Sequence, residues 1–369
     1  MEEERAFWLA WSQISGIGPV LLRRLQQNFG SLAAAWEASY AELRQVEGFG
    51  FQTVEVVAAQ RSRIHPEQLL QQHEQENPNF WTPDQTGYPR LLLEIPSPPP
   101  LLYYRGEVQP QENQGVTPLV GIVGTRNPSE YGRRWTRKIS MALARNGFSI
   151  VSGLADGIDT EAHRGCIEAG GRTLAVLGTG VDVVYPPRNQ DLYQQILNQG
   201  LALSEYAAGT PPDRPHFPAR NRIIAGMSRA VLVMEAPTRS GALITARFAN
   251  DFCRDVYVLP GSLDNPRSLG CLELLSKGAQ VILSEGHLLE MLGAMPHLDL
   301  VEPPRLVEQQ GLLSPEFKQV LEAITLDSMP FDLIVQQTGM SAGSVSSSLL
   351  QLELMGLVSQ LPGMRYQRC

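Results

Sequence analysis

Between residues 116 and 295, short apolar runs alternate with segments of helical period, and this alternation is the strongest constraint on the fold. The runs LVGIV, FSIVS, TLAVL, LALS, AVLVME, VYVLP and QVIL are too short for helices and apolar at consecutive positions. Such runs form strands buried on both faces. Helices are predicted around 129–145, 157–169, 189–198, 218–227, 240–252 and 268–276. A helix between two strands carries the chain back across the sheet, so the strands pair in parallel. In the helix at 129–145, spacing puts Tyr131, Trp135, Ile139 and Ala142 on one face, away from Arg133, Arg134, Arg137 and Lys138.

The reading is an α/β protein with an enlarged Rossmann-like parallel sheet, flanked by two smaller modules. Its 369 residues allow two or three domains. Residues 1–75 read as a small helical domain whose turns Gly16-Ile17-Gly18 and Gly48-Phe49-Gly50 resemble helix-hairpin-helix elements. Such turns grip phosphate or merely provide positive φ in a protein-contact module, and the acidity of this segment favours the second. Residues 76–115, with Pro96, Pro98, Pro99 and Pro100, read as a linker leading into the core at 116–295. A second linker, 296–313, precedes 314–369, where three helices and a terminal hairpin resemble a winged helix. Its second helix offers Ser344, Ser346, Ser347 and Ser348 with no Arg or Lys, which weakens duplex reading.

Composition narrows the function classes. No run of eighteen apolar residues exists, and MEEERAFWLAW lacks a basic leader, so neither a membrane span nor a signal peptide is expected. The four cysteines are far apart and form no CxxC, which fits a reduced, cytoplasmic compartment. Net charge is −8, but residues 115–225 carry 12 basic against 9 acidic side chains. Of the 30 cations, 27 are arginine. Either the guanidinium fork is selected for phosphate and bases, or the codon usage is GC-rich.

Ligands of open parallel sheets gather at the carboxyl ends of the strands. Here those ends read GTRNPS, SGLADGID, LGTGVD, EYAAG and APTRSGALIT, rich in Gly, Ser and Thr. GIVGTRNPSEYG lacks the G-x-G-x-x-G of a dinucleotide site, which argues against NAD; no cofactor is expected. HFPARNRIIAGMS opens a helix with Arg220 and Arg222 where the dipole repels cations. Two readings stand. With Arg126 and Phe217 these arginines line a track for a polyanion with exposed bases, or they are scaffold cations paired with Asp213, Glu205 or Asp182.

The five stretches GIVGTRNPSEYG, IVSGLADGIDTEAHRGCIEAGGRTLAVLGTGVDVVYP, HFPARNRIIAGMS, EAPTRSGALITARFANDFCRDVYVLPG and GCLELLSKGA together resemble the DNA-processing protein A (DprA, Smf) family. The resemblance covers about 175 residues. It implies a non-enzymatic single-stranded DNA-binding protein of natural transformation, which protects incoming strands, dimerises and helps load a RecA-type recombinase. The family's DNA pocket maps onto Gly124, Thr125 and Arg126, Ser152 and Gly153, Phe217, Arg220, Asn221 and Arg222, and Ser240 and Gly241. Arg188, in YPPRN, stands near a loop where some members place basic residues.

Other chemistries are disfavoured. Asp156, Asp159 and His163 have a spacing open to metal, but helix capping explains it more simply. There is no HxH or HExxH, and the G-x-S-x-G at Gly339–Gly343 falls in the turn TGMSAG between two helices rather than on the strand-to-helix elbow a nucleophile needs. A nucleoside-monophosphate phosphoribohydrolase would need a glutamate where Ala246 stands. A nucleotide-sensing module remains the other alternative.

Overall fold

The computed structural model describes residues 2–293, 315–324, 329–354, 358–361 and 364–368. Two compact units divide the chain, Met1–Leu298 and Asp299–Cys369. The first begins with helices α1 (Glu2–Ser12), α2 (Pro19–Phe29), α3 (Leu32–Glu37), α4 (Tyr40–Leu43), α5 (Phe51–Arg61) and α6 (Pro66–Glu76). Gly16 and Gly48 turn the chain at φ of 85° and 91°, and Pro19 starts α2, where its missing N–H is no loss. These helices bury Trp8, Trp11, Leu22, Leu25, Trp36 and Val54 in a core that continues onto Phe80, Leu101 and Tyr103.

The segment expected to be a linker is instead built into the sheet. It forms β1 (Phe80–Trp81), α7 (Arg90–Leu93), β2 (Leu102–Gly106) and α8 (Pro110–Asn113). Trp81 stacks on Tyr104 with ring centres 4.0 Å apart, and the Tyr88 hydroxyl donates to Pro99 O at 2.9 Å. Prolines hid these strands, yet Pro96, Pro98, Pro99 and Pro100 all precede β2 and so remove no ladder donor from it.

The remaining elements are β3 (Leu119–Val123), α9 (Glu130–Arg145), β4 (Ser149–Ser152), α10 (Ile158–Glu168), β5 (Thr173–Val176), α11 (Gln190–Gln199), β6 (Leu201–Ser204), α12 (His216–Met227), β7 (Ala230–Val233), α13 (Gly241–Asp251), β8 (Asp255–Val258), α14 (Leu269–Ser276), β9 (Gln280–Val281) and α15 (Glu285–Gly293). All seven expected strands form, and the sheet order is β1-β2-β6-β5-β4-β3-β7-β8-β9. From β6 to β9 the pairing is parallel; β2 joins β6 and β1 joins β2 antiparallel. Val120, Ile122, Val231 and Val233 are buried because helices cover both faces. On α9 the buried stripe is Gly132, Thr136, Ile139, Ser140 and Leu143, while Tyr131 stays 38% exposed. The expected face was therefore rotated by about one residue.

The second unit contains α16 (Pro315–Ala323), β10 (Met329–Pro330), α17 (Phe331–Thr338), α18 (Ala342–Leu354), β11 (Val358–Leu361) and β12 (Arg365–Arg368). Its antiparallel sheet has the order β10-β12-β11, and Gly339 ends α17 in the left-handed conformation. This is the winged-helix arrangement. Ser344, Ser346 and Ser347 are exposed on α18, but Ser348 is buried and leaves the expected serine face. Among the described residues no helix is long and apolar enough to cross a membrane.

Candidate nucleic-acid interface

The chain leaves β3 towards β4 on one side and, after β6, returns to β7 on the other. The loops at the carboxyl ends of β3 and β7 diverge there, and a crevice opens at this switch point. It is a cleft of about 540 Å³. Its lining comes from Gly124, Thr125 and Arg126 after β3, Asp159 on α10, Tyr185 after β5, the start of α12 and the start of α13.

Close backbone approach shapes its rim. A Cβ on Gly124 would lie 2.5 Å from Ile158 Cγ1 and 2.9 Å from Glu235 O, so only glycine fits. Glu235, 1% exposed, accepts from Ser129 N at 2.7 Å, Ser129 Oγ at 2.8 Å and Asn265 Nδ2 at 2.8 Å. One buried carboxylate thus rivets the loop after β3 to the segment before α14. With all its oxygens engaged, it needs no cation.

Arg220 forms the floor. It is 4% exposed; Nη1 donates to Gly153 O at 2.7 Å and to Val176 O, and Nε donates to Asn221 Oδ1 at 3.0 Å. The guanidinium therefore caps carbonyls at the ends of β4 and β5, and these, with Asp159, offset the repulsion at the start of α12. Burial, with Arg126 adding to it, pulls the Arg220 pKa down to about 10, while Asp159 opposes the fall. It remains charged at neutral pH. Burial raises the Asp159 pKa; Arg220 and the Ala155 and Gly153 N–H groups hold it back. Gly153 provides the seat, since a Cβ there would collide with the guanidinium of Arg220.

Other expected residues divide. Phe217 lines the cleft beside Tyr185, ring centres 5.4 Å apart, and Arg126 Cζ lies 5.7 Å from the Phe217 ring centre. Asn221 Nδ2 donates to Gly241 O at 3.3 Å and so joins α12 to α13. Ser240 caps α13 by accepting from Ala242 N at 3.2 Å, and Gly241 beside it is exposed. Three residues stand elsewhere. Arg222 is 9% exposed and grips Glu205 with both nitrogens, Nη1–Oε1 2.6 Å and Nη2–Oε2 2.7 Å, while Nε donates to Ser97 O at 3.1 Å. It is a scaffold cation outside the cleft lining. The Ser152 hydroxyl is buried and donates to Ile122 O at 2.6 Å, inside the sheet. Arg188 is exposed and paired with Asp156, also outside the cleft lining.

Sequence reasoning missed Tyr185, Arg214 and Arg239 in the lining, and the Glu235 rivet behind it. Arg214 stands two residues before HFPARNR and Arg239 inside APTRSG, so proximity to the motifs was the available signal. Asp159 had been read as a helix cap; its Oδ2 accepts from Gly153 N at 3.1 Å and Ala155 N at 3.3 Å. His163 is buried against Thr173 Oγ1 at 2.7 Å, and burial pulls its pKa down to about 3, so it stays neutral.

Sheet order and cleft define a class: a Rossmann-like protein with a cationic, aromatic-lined crevice at its switch point. Within that class the chain belongs to the DNA-processing protein A (Smf) family. Residues 79–293 match the family model described as DNA recombination-mediator protein A, and residues 303–364 match the DprA winged helix domain. The chain is 53% identical over 393 aligned residues to Protein Smf of Synechocystis sp., covering 99% of each. It is 46% identical over 197 residues to DNA processing protein DprA of Streptococcus pneumoniae, covering 53% of this chain and 68% of that one. The crystal structure of that S. pneumoniae protein superposes with TM-score 0.68 at 35% identity, over 77% of this chain and 97% of that one. DNA processing protein A from Helicobacter pylori, a structure described for its single-stranded DNA binding mode, gives TM-score 0.52 at 32% identity, over 58% and 95%.

Proposed function

We propose that this chain binds single-stranded DNA in the switch-point cleft, protects it and passes it to a RecA-type recombinase in natural transformation or recombination. In this reading it acts as a cytoplasmic homodimer and catalyses no reaction. One observation carries the DNA reading. Arg126, Arg214 and Arg239 are exposed around the cleft and form no ion pair among the described residues, and Phe217 and Tyr185 line the same cleft with their rings in contact. Free guanidinium forks beside aromatic faces suit a strand whose phosphates and bases are both accessible. The nearest enzymatic alternative has no support at α13, where the Ala246 methyl is packed into the core.

Titration of oligo-dT, AMP and NAD against the protein tests this reading. Oligo-dT is expected to bind with steep salt dependence, and duplex DNA to compete poorly. Arg126→Ala is expected to weaken binding by about 1–3 kcal/mol and to lower the salt slope by about one phosphate. Lysine at 126 should recover part of the loss, because a point charge cannot reproduce the fork. AMP or NAD binding more tightly than oligo-dT would replace the DNA reading with a nucleotide sensor.

Deleting residues 314–369 should leave most oligo-dT affinity intact, because the exposed serines of α18 offer no cation for phosphate. A folded truncation that no longer binds would move the DNA site to the winged helix.

A further inference from the structure

Beyond the start of α13 lies a second cavity, of about 530 Å³. Arg239, Ser240 and Gly241 line both cavities. The first turn of α13 is therefore a saddle between them rather than a wall ending the cleft. The saddle is open, since apart from α13's own nearby backbone and the adjoining residues nothing lies within 4 Å of where a Gly241 Cβ would stand.

Past the saddle, the cavity runs as a groove between α13 and α14. Successive turns of α13 present Gly241, Ile244 and Arg247, all exposed, and Leu274 lines the α14 side. Ile244 is 38% exposed. Arg239 and Arg247 form no ion pair among the described residues. The far end differs: Lys277 Nζ is neutralised by Glu273 Oε1 at 2.6 Å, and Asp251 adds an acid. Positive potential is thus greatest beside Gly241 and is lost by Asp251.

We propose that a single strand longer than the cleft crosses the α13 saddle into this groove. Its phosphates meet Arg239 and Arg247, a base or sugar lies on Ile244 and Leu274, and the strand leaves before Asp251. The proposal rests on the single-strand reading of the cleft. It adds a distal subsite that affects long strands and not short ones. A groove of unpaired cations is what tracks a single strand's backbone, and Ile244 and Leu274 give its sugars and bases an apolar surface where other grooves have aromatic rings.

Fluorescence anisotropy with oligo-dT of about 4 to 16 nucleotides tests it. The proteins compared are the full chain, Arg126→Ala, Arg247→Glu and Ile244→Ser. For the unchanged chain, affinity should climb with length past the span of the cleft. Arg247→Glu should bind the shortest strands normally and the longest about tenfold more weakly, because a phosphate contact becomes a repulsion. Ile244→Ser should flatten the same length dependence to a smaller degree. Arg126→Ala should lose affinity at every length. If Arg247→Glu follows the unchanged chain at all lengths, the groove is off the track and the cleft reading survives. Loss at every length in Arg247→Glu with a lowered melting temperature also overturns the subsite, since it marks a structural lesion. If Arg126→Ala too binds normally, the cleft reading falls, and the groove falls with it.

Discussion

Arg222→Ala is expected to lower the free energy of unfolding by about 3–5 kcal/mol and to leave the oligo-dT affinity of the folded fraction unchanged. The argument is the bidentate pair with Glu205, whose side chains are 10% and 15% exposed. Removing the guanidinium leaves a mostly buried carboxylate without its cation and frees Ser97 O as well. The same arginine ties α12 to the proline-rich loop, so the lesion spreads beyond one pair. Urea denaturation and oligo-dT titration on one preparation separate the outcomes. A variant of normal stability with weakened DNA binding would return Arg222 to the interface.

Arg220→Ala should be comparably destabilising at pH 7, about 3–5 kcal/mol, and should also abolish tight oligo-dT binding, because Arg220 supports the cleft floor. Its signature is a pH dependence. With the neighbouring cation gone, the buried Asp159 carboxyl rises still further above its ordinary 3.8. A carboxyl raised in the folded state holds a proton that the unfolded chain releases, so stability falls as pH rises through that window. The deficit should therefore be largest near neutrality and shrink as pH drops towards the unperturbed carboxylate value. Gly153→Ala offers an independent route to the same phenotype, since the added methyl displaces the guanidinium rather than deleting it. A deficit in Arg220→Ala that stayed flat from pH 7 to the carboxylate range would remove Asp159 from the account.

Much of the sheet was legible because consecutive Val, Ile and Leu leave few alternatives to a strand buried on both faces. Strands β1 and β2, at one end of the sheet, were hidden by prolines and tyrosines, which read as linker composition until β6 is in place to pair with β2 and β2 with β1. The cleft's location was legible from loop composition; the destination of each arginine was only half so. Residues two apart on a helix lie about 200° apart, so Arg220 and Arg222 had to face nearly opposite ways. That spacing already said both could not floor one cleft. The scaffold reading named Glu205 among three candidate partners, and Glu205, just after β6, is the one Arg222 takes; which arginine would take it depended on the sheet bringing β6 beside α12. Ser152 was misplaced because a small polar residue at a strand end reads equally well as a loop donor.

The capping of β4 and β5 by Arg220 has a kinetic consequence. Under the proposed reading, a floor already held by two carbonyls and a buried carboxylate does not rearrange when a single strand arrives, so encounter would be governed by the exposed arginines at the rim. Ionic strength should then act mainly on the association rate. Residence time should depend instead on how firmly a base is held against Phe217, making capture and retention separately tunable properties of one cleft.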